Sequence, residues 1–350
     1  MHMNRERLSD DVYVFTSERY AQVTASLIVS GTYGVLVDTL PFPDETLQMG
    51  MFARKVCPDG IRYIIYTQHQ ADHTYGAFLF PRAEVIAHAQ ARRILSERGQ
   101  AALDQARAAS PDLAPVRLRL PTLTFAEGSL TIRLPGKTLE IFAAPGHTDD
   151  SVAVLLQEEK ILFAGDTFMS IPTISEGDPD QLKASIEKIA AMSLDTIVQG
   201  HGEIILRGEI KENVRRSLAY LEALQTKVQK LVDEDGSREQ ARAITLESCG
   251  LHRVLLNGMV VPLHTANLLA LYDKLAAKRD ISKPAAAKIA PALPKAAPAP
   301  ATPQKPEAKK STSAKTPSKK AAPAAKPSAT KSKKPAAKPA AKAKPAAKKR

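Results

Sequence analysis

Residues 67–76 read Thr-Gln-His-Gln-Ala-Asp-His-Thr-Tyr-Gly, TQHQADHTYG. The apolar run IRYIIYT (61–67) leads straight into it, so a buried strand is expected to deliver this segment as a loop. The loop is rich in imidazole and carboxylate, as a metal-holding loop would be. Yet Gln68 and Gln70 place carboxamides where histidines would bind an ion better. What those two glutamines do decides how the molecule is read.

Other polar residues fall at comparable places. His147 follows KTLEIFAAPG, Asp166 follows KILFAG and His201 follows DTIVQG. Each comes after an apolar run and a small or polar residue, a position that suits ligands carried on loops by a rigid sheet. A single histidine at the end of a strand is most often structural. Four such coincidences, counting Asp72 with His73, point to one site.

Between these points the chain alternates short β-rich runs with turn signals. VYVFTS, QVTASLIVS and YGVLVDT are strand candidates, and so are AEVIA, TLTFAEG, SLTIRLPG and SVAVLLQ. PDETLQMGMFARKVC reads as a helix opened by Pro43 and acidic residues, with Leu47, Met51 and Val56 expected on its apolar face. A helical stretch of about 20 residues is expected from His88. DPDQLKASIEKIAAM is amphipathic, a long helix is expected from Glu209 to Asp233, and helical segments follow to Arg279. Strands with interspersed helices and a helical end suggest sheets covered by helices.

In this order and spacing, QHQADH, PGHTDDS, AGDT and GHG resemble the signature of the metallo-β-lactamase superfamily, H-x-H-x-D-H followed by Gly-His, Gly-Asp and Gly-His. The resemblance covers roughly residues 10–280. It implies an α/β fold, a four-layer αββα sandwich with metals at one edge of the two sheets. It also implies that Asp72, His73 and His201 hold one metal, that Asp166 bridges, and that His147 belongs to a second site. The partners of His147 there would be the residues now replaced by Gln68 and Gln70. Because a carboxamide oxygen is neutral and weakly basic, that second site should be greatly weakened. One ion per chain is expected, Zn2+ first, with Fe2+ or Mn2+ as alternatives. His69 stands at a spacer position and should point away. Asp38 either orients the loop or caps a turn; Asp149, Asp150 and Ser151 should serve turns. His88, His252 and His264 are expected to be structural or surface residues, and Cys57 an inert thiol.

The function implied is a metal-dependent hydrolase. Water made acidic by the ion would attack a small-molecule ester, thioester, lactone or amide, with Asp72 or Asp166 holding the proton and Gln68 and Gln70 contacting substrate. A descendant that binds a metal or ligand without turnover is the alternative.

The 350 residues carry a net charge of +12, very unevenly. Residues 281–350 hold 18 Lys, one Arg and one Glu, a net +18, so residues 1–280 carry −6. Thirteen of the 25 prolines lie in that basic segment, which has no aromatic residue. It is expected to be a disordered tail attached to a domain of residues 1–280, whose helical part spans about 205–280. Its composition resembles the tails of linker histones, so sequence-independent binding of nucleic acid or another polyanion is a third reading. A nuclease is disfavoured, since only 34 residues separate Asp166 from His201 and leave no room for an inserted domain. Two cysteines, no apolar secretory core and no apolar run near the ~18 residues of a membrane span lead to a cytoplasmic expectation.

Overall fold

The computed structural model describes residues 3–253 and 255–282. The basic tail, from residue 283 onward, lies outside the described residues.

Two sheets form in succession along the chain. The first contains β1 (Asn4–Arg7), β2 (Val12–Thr16), β3 (Thr24–Ser30), β4 (Tyr33–Val37), β5 (Ile61–Ile65), β6 (Glu84–His88) and β7 (Leu123–Phe125), in that spatial order. Pairing is antiparallel from β1 to β4 and parallel from β4 to β7. The second sheet contains β8 (Ser129–Leu134), β9 (Lys137–Ala143), β10 (Val152–Leu156), β11 (Ile161–Phe163), β12 (Thr196–Val198) and β13 (Ile205–Leu206), ordered β13-β12-β11-β10-β9-β8.

Period-two alternation splits each strand between two cores. On β3, Ile28 faces the second sheet while Leu27 faces the helices; on β10, Val152 and Val154 face inward and Ala153 outward. Val35, Val37, Ile65 and Ile86 meet Leu139, Ile141, Phe163 and Val198 between the sheets. The outer face of the first sheet is covered by α1 (Pro43–Val56) and α3 (Ala89–Ile94). The outer face of the second is covered by α5 (Pro179–Ala190), α6 (Ile210–Asp233) and α8 (Val260–Ser282). This is the four-layer αββα arrangement. The short helices α2 (Ala71–Thr74), α4 (Gln100–Ala109) and α7 (Arg238–Arg242) complete the set. None of the helices of the described residues is long and apolar enough to cross a membrane.

The helix α5 shows how local chemistry sets an element. Asp178 caps it by accepting from the amides of Asp180 and Gln181 at 3.0 and 3.1 Å, Pro179 opens it, and Leu182, Ile186 and Ile189 are buried. The expected face of α1 is wrong. Leu47 and Met51 are exposed, and the buried residues include Thr46, Met49, Gly50 and Ala53. The cause is close approach. A Cβ on Gly50 would lie 3.3 Å from the Phe80 ring, so the helix comes close there, with Met49 and Ala53 buried in the core beside it. The stretch after His88 is helical but interrupted: α3 and α4 are joined by a π-helical turn, Leu95–Gly99.

β9 runs antiparallel to β10, β10 antiparallel to β11, and β11 parallel to β12. β9, β11 and β12 therefore point the same way, and their C-terminal ends share one edge. Val152 N donates to Thr67 O and Thr24 N to Gly200 O, both at 2.8 Å, and these bonds stitch the sheets together there.

Candidate metal centre

All the sequence-predicted ligands arrive at that edge. The β5 strand delivers Gln68 through His73, β9 leads to His147, β11 to Asp166 and β12 to His201. The ligand atoms of Asp72, His73 and His201 lie within 4.8 Å of one another. His201 Nε2 is 3.1 Å and His73 Nε2 is 3.9 Å from Asp72 Oδ2. Asp166 borders the group, its Oδ2 lying 3.3 Å from His73 Nε2 and its Oδ1 3.7 Å from His201 Nε2.

Each imidazole is held from behind. The Nδ1 of His73 is 2.9 Å from Asp38 Oδ2, and that carboxylate also accepts from the Thr67 amide at 2.7 Å and the Thr67 hydroxyl at 2.6 Å. Asp38 thus orients the loop, the first of the two roles expected for it, from a backbone with φ of +60°. His201 Nδ1 donates to Ala21 O at 2.9 Å. Both rings therefore turn Nε2 toward the cluster.

Glycine is required where the loops converge. A Cβ on Gly200 would sit 1.8 Å from Asp166 Oδ1. Gly146, with φ of +129°, would place one 2.1 Å from the Leu182 amide nitrogen. These are two of the glycines that precede the motif histidines.

Gln68 and Gln70 are engaged with the remaining donors. The Gln68 amide donates to Asp166 Oδ2 at 2.7 Å. Gln70 Oε1 accepts from His147 Nε2 at 3.1 Å, while His147 Nδ1 lies 2.7 Å from the Thr173 hydroxyl. The Nε2 of His147, the atom that would ligate an ion, is thus turned to Gln70 and lies 3.3 Å from Asp166 Oδ2. His73 Nε2 and Asp166 Oδ1 are buried without a hydrogen-bond partner. Buried polar atoms are rarely left so, and imidazole and carboxylate donors fit a divalent cation.

Charge is concentrated here. Burial disfavours the charged form of His73, but Asp166, Asp72 and Asp38 outweigh it and hold its pKa well above the ordinary value. Asp166 is driven far below the usual carboxylate range; burial opposes this, and His73, His201 and His147 overcome it. The charge of Asp72, with burial, raises the Tyr20 hydroxyl. Tyr20, Gln70, Met259 and Leu263 line a cleft of about 350 Å³ that opens onto Asp72, His147, Asp166 and His201.

Several participants were not visible in the sequence. Asn267 on α8 donates to Pro172 O at 2.8 Å and accepts from the Ile174 amide at 2.8 Å, which clamps both sides of Thr173. Its amide also donates to Tyr220 Oη at 3.0 Å, and that hydroxyl lies 2.9 Å from His264 Nδ1. His264 is thus a buried structural histidine, as expected. His69 does point away, to Asp150 Oδ1 at 2.8 Å. Asp150 is accordingly more than a turn residue, and Ser151 serves the turn through Thr148 N at 3.2 Å. His88 caps α3, His252 is exposed, and Cys57 is buried, which pushes its thiol up to about 11.

Comparisons with known proteins agree with this geometry. The family model described as the metallo-beta-lactamase superfamily matches residues 19–228. The beta-lactamase-like protein 2 homolog of Caenorhabditis elegans is 33% identical over 81 residues, 23% of this chain and 28% of that protein. The atrochrysone carboxyl ACP thioesterase of Aspergillus fumigatus is 30% identical, over 31% of this chain and 38% of that one. The chain thus spans well under half the length of these two relatives. Metallo-beta-lactamase domain-containing protein 1 of Xenopus laevis is 26% identical, over 61% of this chain and 84% of that protein. Among solved structures, a metallo-beta-lactamase family protein from Thermus thermophilus superposes with a TM-score of 0.59 at 18% identity, covering 78% of this chain and 95% of that one. The matched model, the shared sandwich and the loops converging on one sheet edge show that this chain belongs to the metallo-β-lactamase superfamily.

Proposed function

We propose that the chain is a hydrolase of small-molecule thioesters or esters that works with one divalent ion. The observation that carries this reading is the asymmetry of the centre. Asp72, His73 and His201 converge with a buried, unpartnered Nε2, while Gln68 and Gln70 occupy the donors of the second position with hydrogen bonds.

Asp72, His73 and His201, with Asp166 beside them, would hold Zn2+, or alternatively Fe2+ or Mn2+. Such an ion supplies Lewis-acid polarisation of a carbonyl and makes water acidic enough to serve as a nucleophile near neutral pH. The protein's own groups do the rest. Asp38 and Ala21 O fix the two imidazoles. Asp166 is tied by Gln68. Asp72 rests against His201 on the cleft wall, and it or Asp166 would hold the proton of an attacking water. Gln70 and Tyr20 face the same cleft and would hydrogen-bond the substrate. Of the ester, thioester, lactone and amide bonds open from sequence, the thioester comes first. Relatives named as thioesterases, and one named hydroxyacylglutathione hydrolase from Ruegeria pomeroyi, support this order. Two buried free thiols, Cys57 and Cys249, suit a cytoplasmic setting. The tail, with its net +18, would bind polyanions independently of the cleft.

The Gln68–Asp166 and Gln70–His147 bonds also favour a second reading, a binding protein whose centre no longer turns substrate over. Metal content per chain, measured with hydrolysis of a panel of acyl thioesters and esters before and after loading with Zn2+, Fe2+ or Mn2+, separates the two. One ion per chain with metal-dependent turnover is expected. A loaded protein inert toward the whole panel would sink the hydrolase reading.

A further inference from the structure

The loop carrying Gln68 to His73 has two sides. One borders the metal cleft. The other, through His69, Gln70 and Ala71, borders a second cavity of about 280 Å³. Gln70, Ala71 and Glu176 line both spaces, so the two adjoin at these residues beside the candidate centre.

The far wall of the second cavity is helical. Ile94, Leu95, Arg98, Gly99 and Ala102 line it, and this spacing puts them on one face of the α3–α4 helix. The middle of that face is the π-helical turn Leu95–Gly99. A π turn inserts an extra residue into the helical cycle, and such bulges recur at functional sites. Leu118 packs against it so closely that a Cβ on Gly99 would come within 2.8 Å of its side chain. The charges on the lining do not favour an ionic occupant. His69 Nε2 and Glu176 Oε2 face each other at 3.7 Å, and Arg98 is exposed, so its guanidinium can stay in water while its stem adds apolar surface. The rest of the lining is Gln70, at the side toward the metal cleft, with Ile, Leu, Ala, Gly and one Tyr.

Building on the hydrolase reading above, we propose that this cavity holds the hydrocarbon chain of the substrate, so that the enzyme selects ester or thioester substrates with an apolar arm several carbons long. The chain would lie between the back of the Gln68–His73 loop and the π turn, with the scissile carbonyl in the metal cleft. The same chemistry could belong to either side of the scissile bond, the acyl group or the leaving alcohol or thiol.

Two substrate series distinguish these sources, both run with metal-loaded full-length protein. One is p-nitrophenyl acetate, butyrate and octanoate; the other is ethyl, butyl and octyl thioacetate. We expect kcat/KM to rise at least tenfold from the shortest to the longest member of one series. Ala102→Phe fills the cavity from an exposed helix position, and it should bring that ratio back to about one, with a thermal melt checking that the fold is kept. A flat response in both series, or a length preference that survives Ala102→Phe, would overturn the proposal. If no ester or thioester is turned over, the hydrolase reading fails, and calorimetric binding of octanoate and of 1-octanol still tests the cavity. Binding of either that is lost in Ala102→Phe supports a hydrocarbon site, whereas no binding, or equal binding by the variant, overturns it.

Discussion

The Gln68 side chain donates to Asp166 Oδ2 at 2.7 Å, in the place where a ligand pair would otherwise share an ion. Its own Oε1 is buried without a partner, so this carboxamide is fixed by one strong contact to a carboxylate. Replacing Gln68 and Gln70 together by histidine should restore a second bound ion, because His147 and Asp166 are already in position. Elemental analysis of the double variant under saturating zinc checks this; one ion per chain would show that the second position is closed for another reason.

At the other position the expectation reverses. Asp72→Ala or His201→Ala should remove most of the bound metal, since each takes away one of three converging donors. Gln68→Ala should change metal content little. Mass spectrometry of native protein provides the stoichiometry, and a large loss in Gln68→Ala would contradict the assignment of a single ion to Asp72, His73 and His201.

Asn267 and His147 do not touch, yet one sets the surroundings of the other. Asn267→Ala would leave the Ile174 amide and the Pro172 carbonyl without their Asn267 partner, at a cost of about 2–6 kcal/mol for the two groups. It would also loosen Thr173, whose hydroxyl and carbonyl face His147 Nδ1 at 2.7 and 3.1 Å. Chemical denaturation gives the first quantity. The nitrogen chemical shifts of His147 give the second, and they should move toward an averaged tautomer.

The His69–Asp150 pair makes stability depend on pH. Burial works against the charge on His69, but Asp150 and Glu176 outweigh it and raise its pKa; Asp150 is lowered against its own burial by His69. A raised imidazole contributes stability that is complete below its unfolded pKa of about 6.5 and lost as pH climbs through the folded value. A lowered carboxylate contributes stability present above about 3.9 and lost as pH falls through its folded value. The pair should therefore stabilise most between about pH 4 and 6.5. His69→Gln should cost about 1–3 kcal/mol in that window and less above it, as melting curves across pH would show.

Much of the scaffold could be read from local pattern. β-rich apolar runs bounded by turn signals marked the strands, and apolar runs ending in Gly-His or Gly-Asp marked the convergent loops. What escaped was of two kinds. β1 is Asn4–Arg7, four exposed polar or charged residues that leave no hydrophobic signal, and β13, Ile205–Leu206, is too short to stand out as a strand. The supports of the centre escaped because their partners are distant in sequence. Asn267 acts 95 positions from Pro172, and Asp150 meets His69 across 81. The face of α1 was misjudged in its angle around the helix: Met49 is buried together with Thr46, Gly50 and Ala53, while Leu47 and Met51 face outward.

The first sheet ends at Phe125 and the second begins at Ser129, so the chain builds one sheet entirely before the other. The candidate ligands divide the same way: Asp72 and His73 belong to the first half, His147, Asp166 and His201 to the second. A chain cut between β7 and β8 would yield two fragments, each with a complete sheet and neither with a complete centre. Metal capture by a mixture of the fragments would then report their reassembly. An ion bound across that seam would favour the docked pair over the separated one by mass action, acting as a reversible clasp between two halves of one polypeptide.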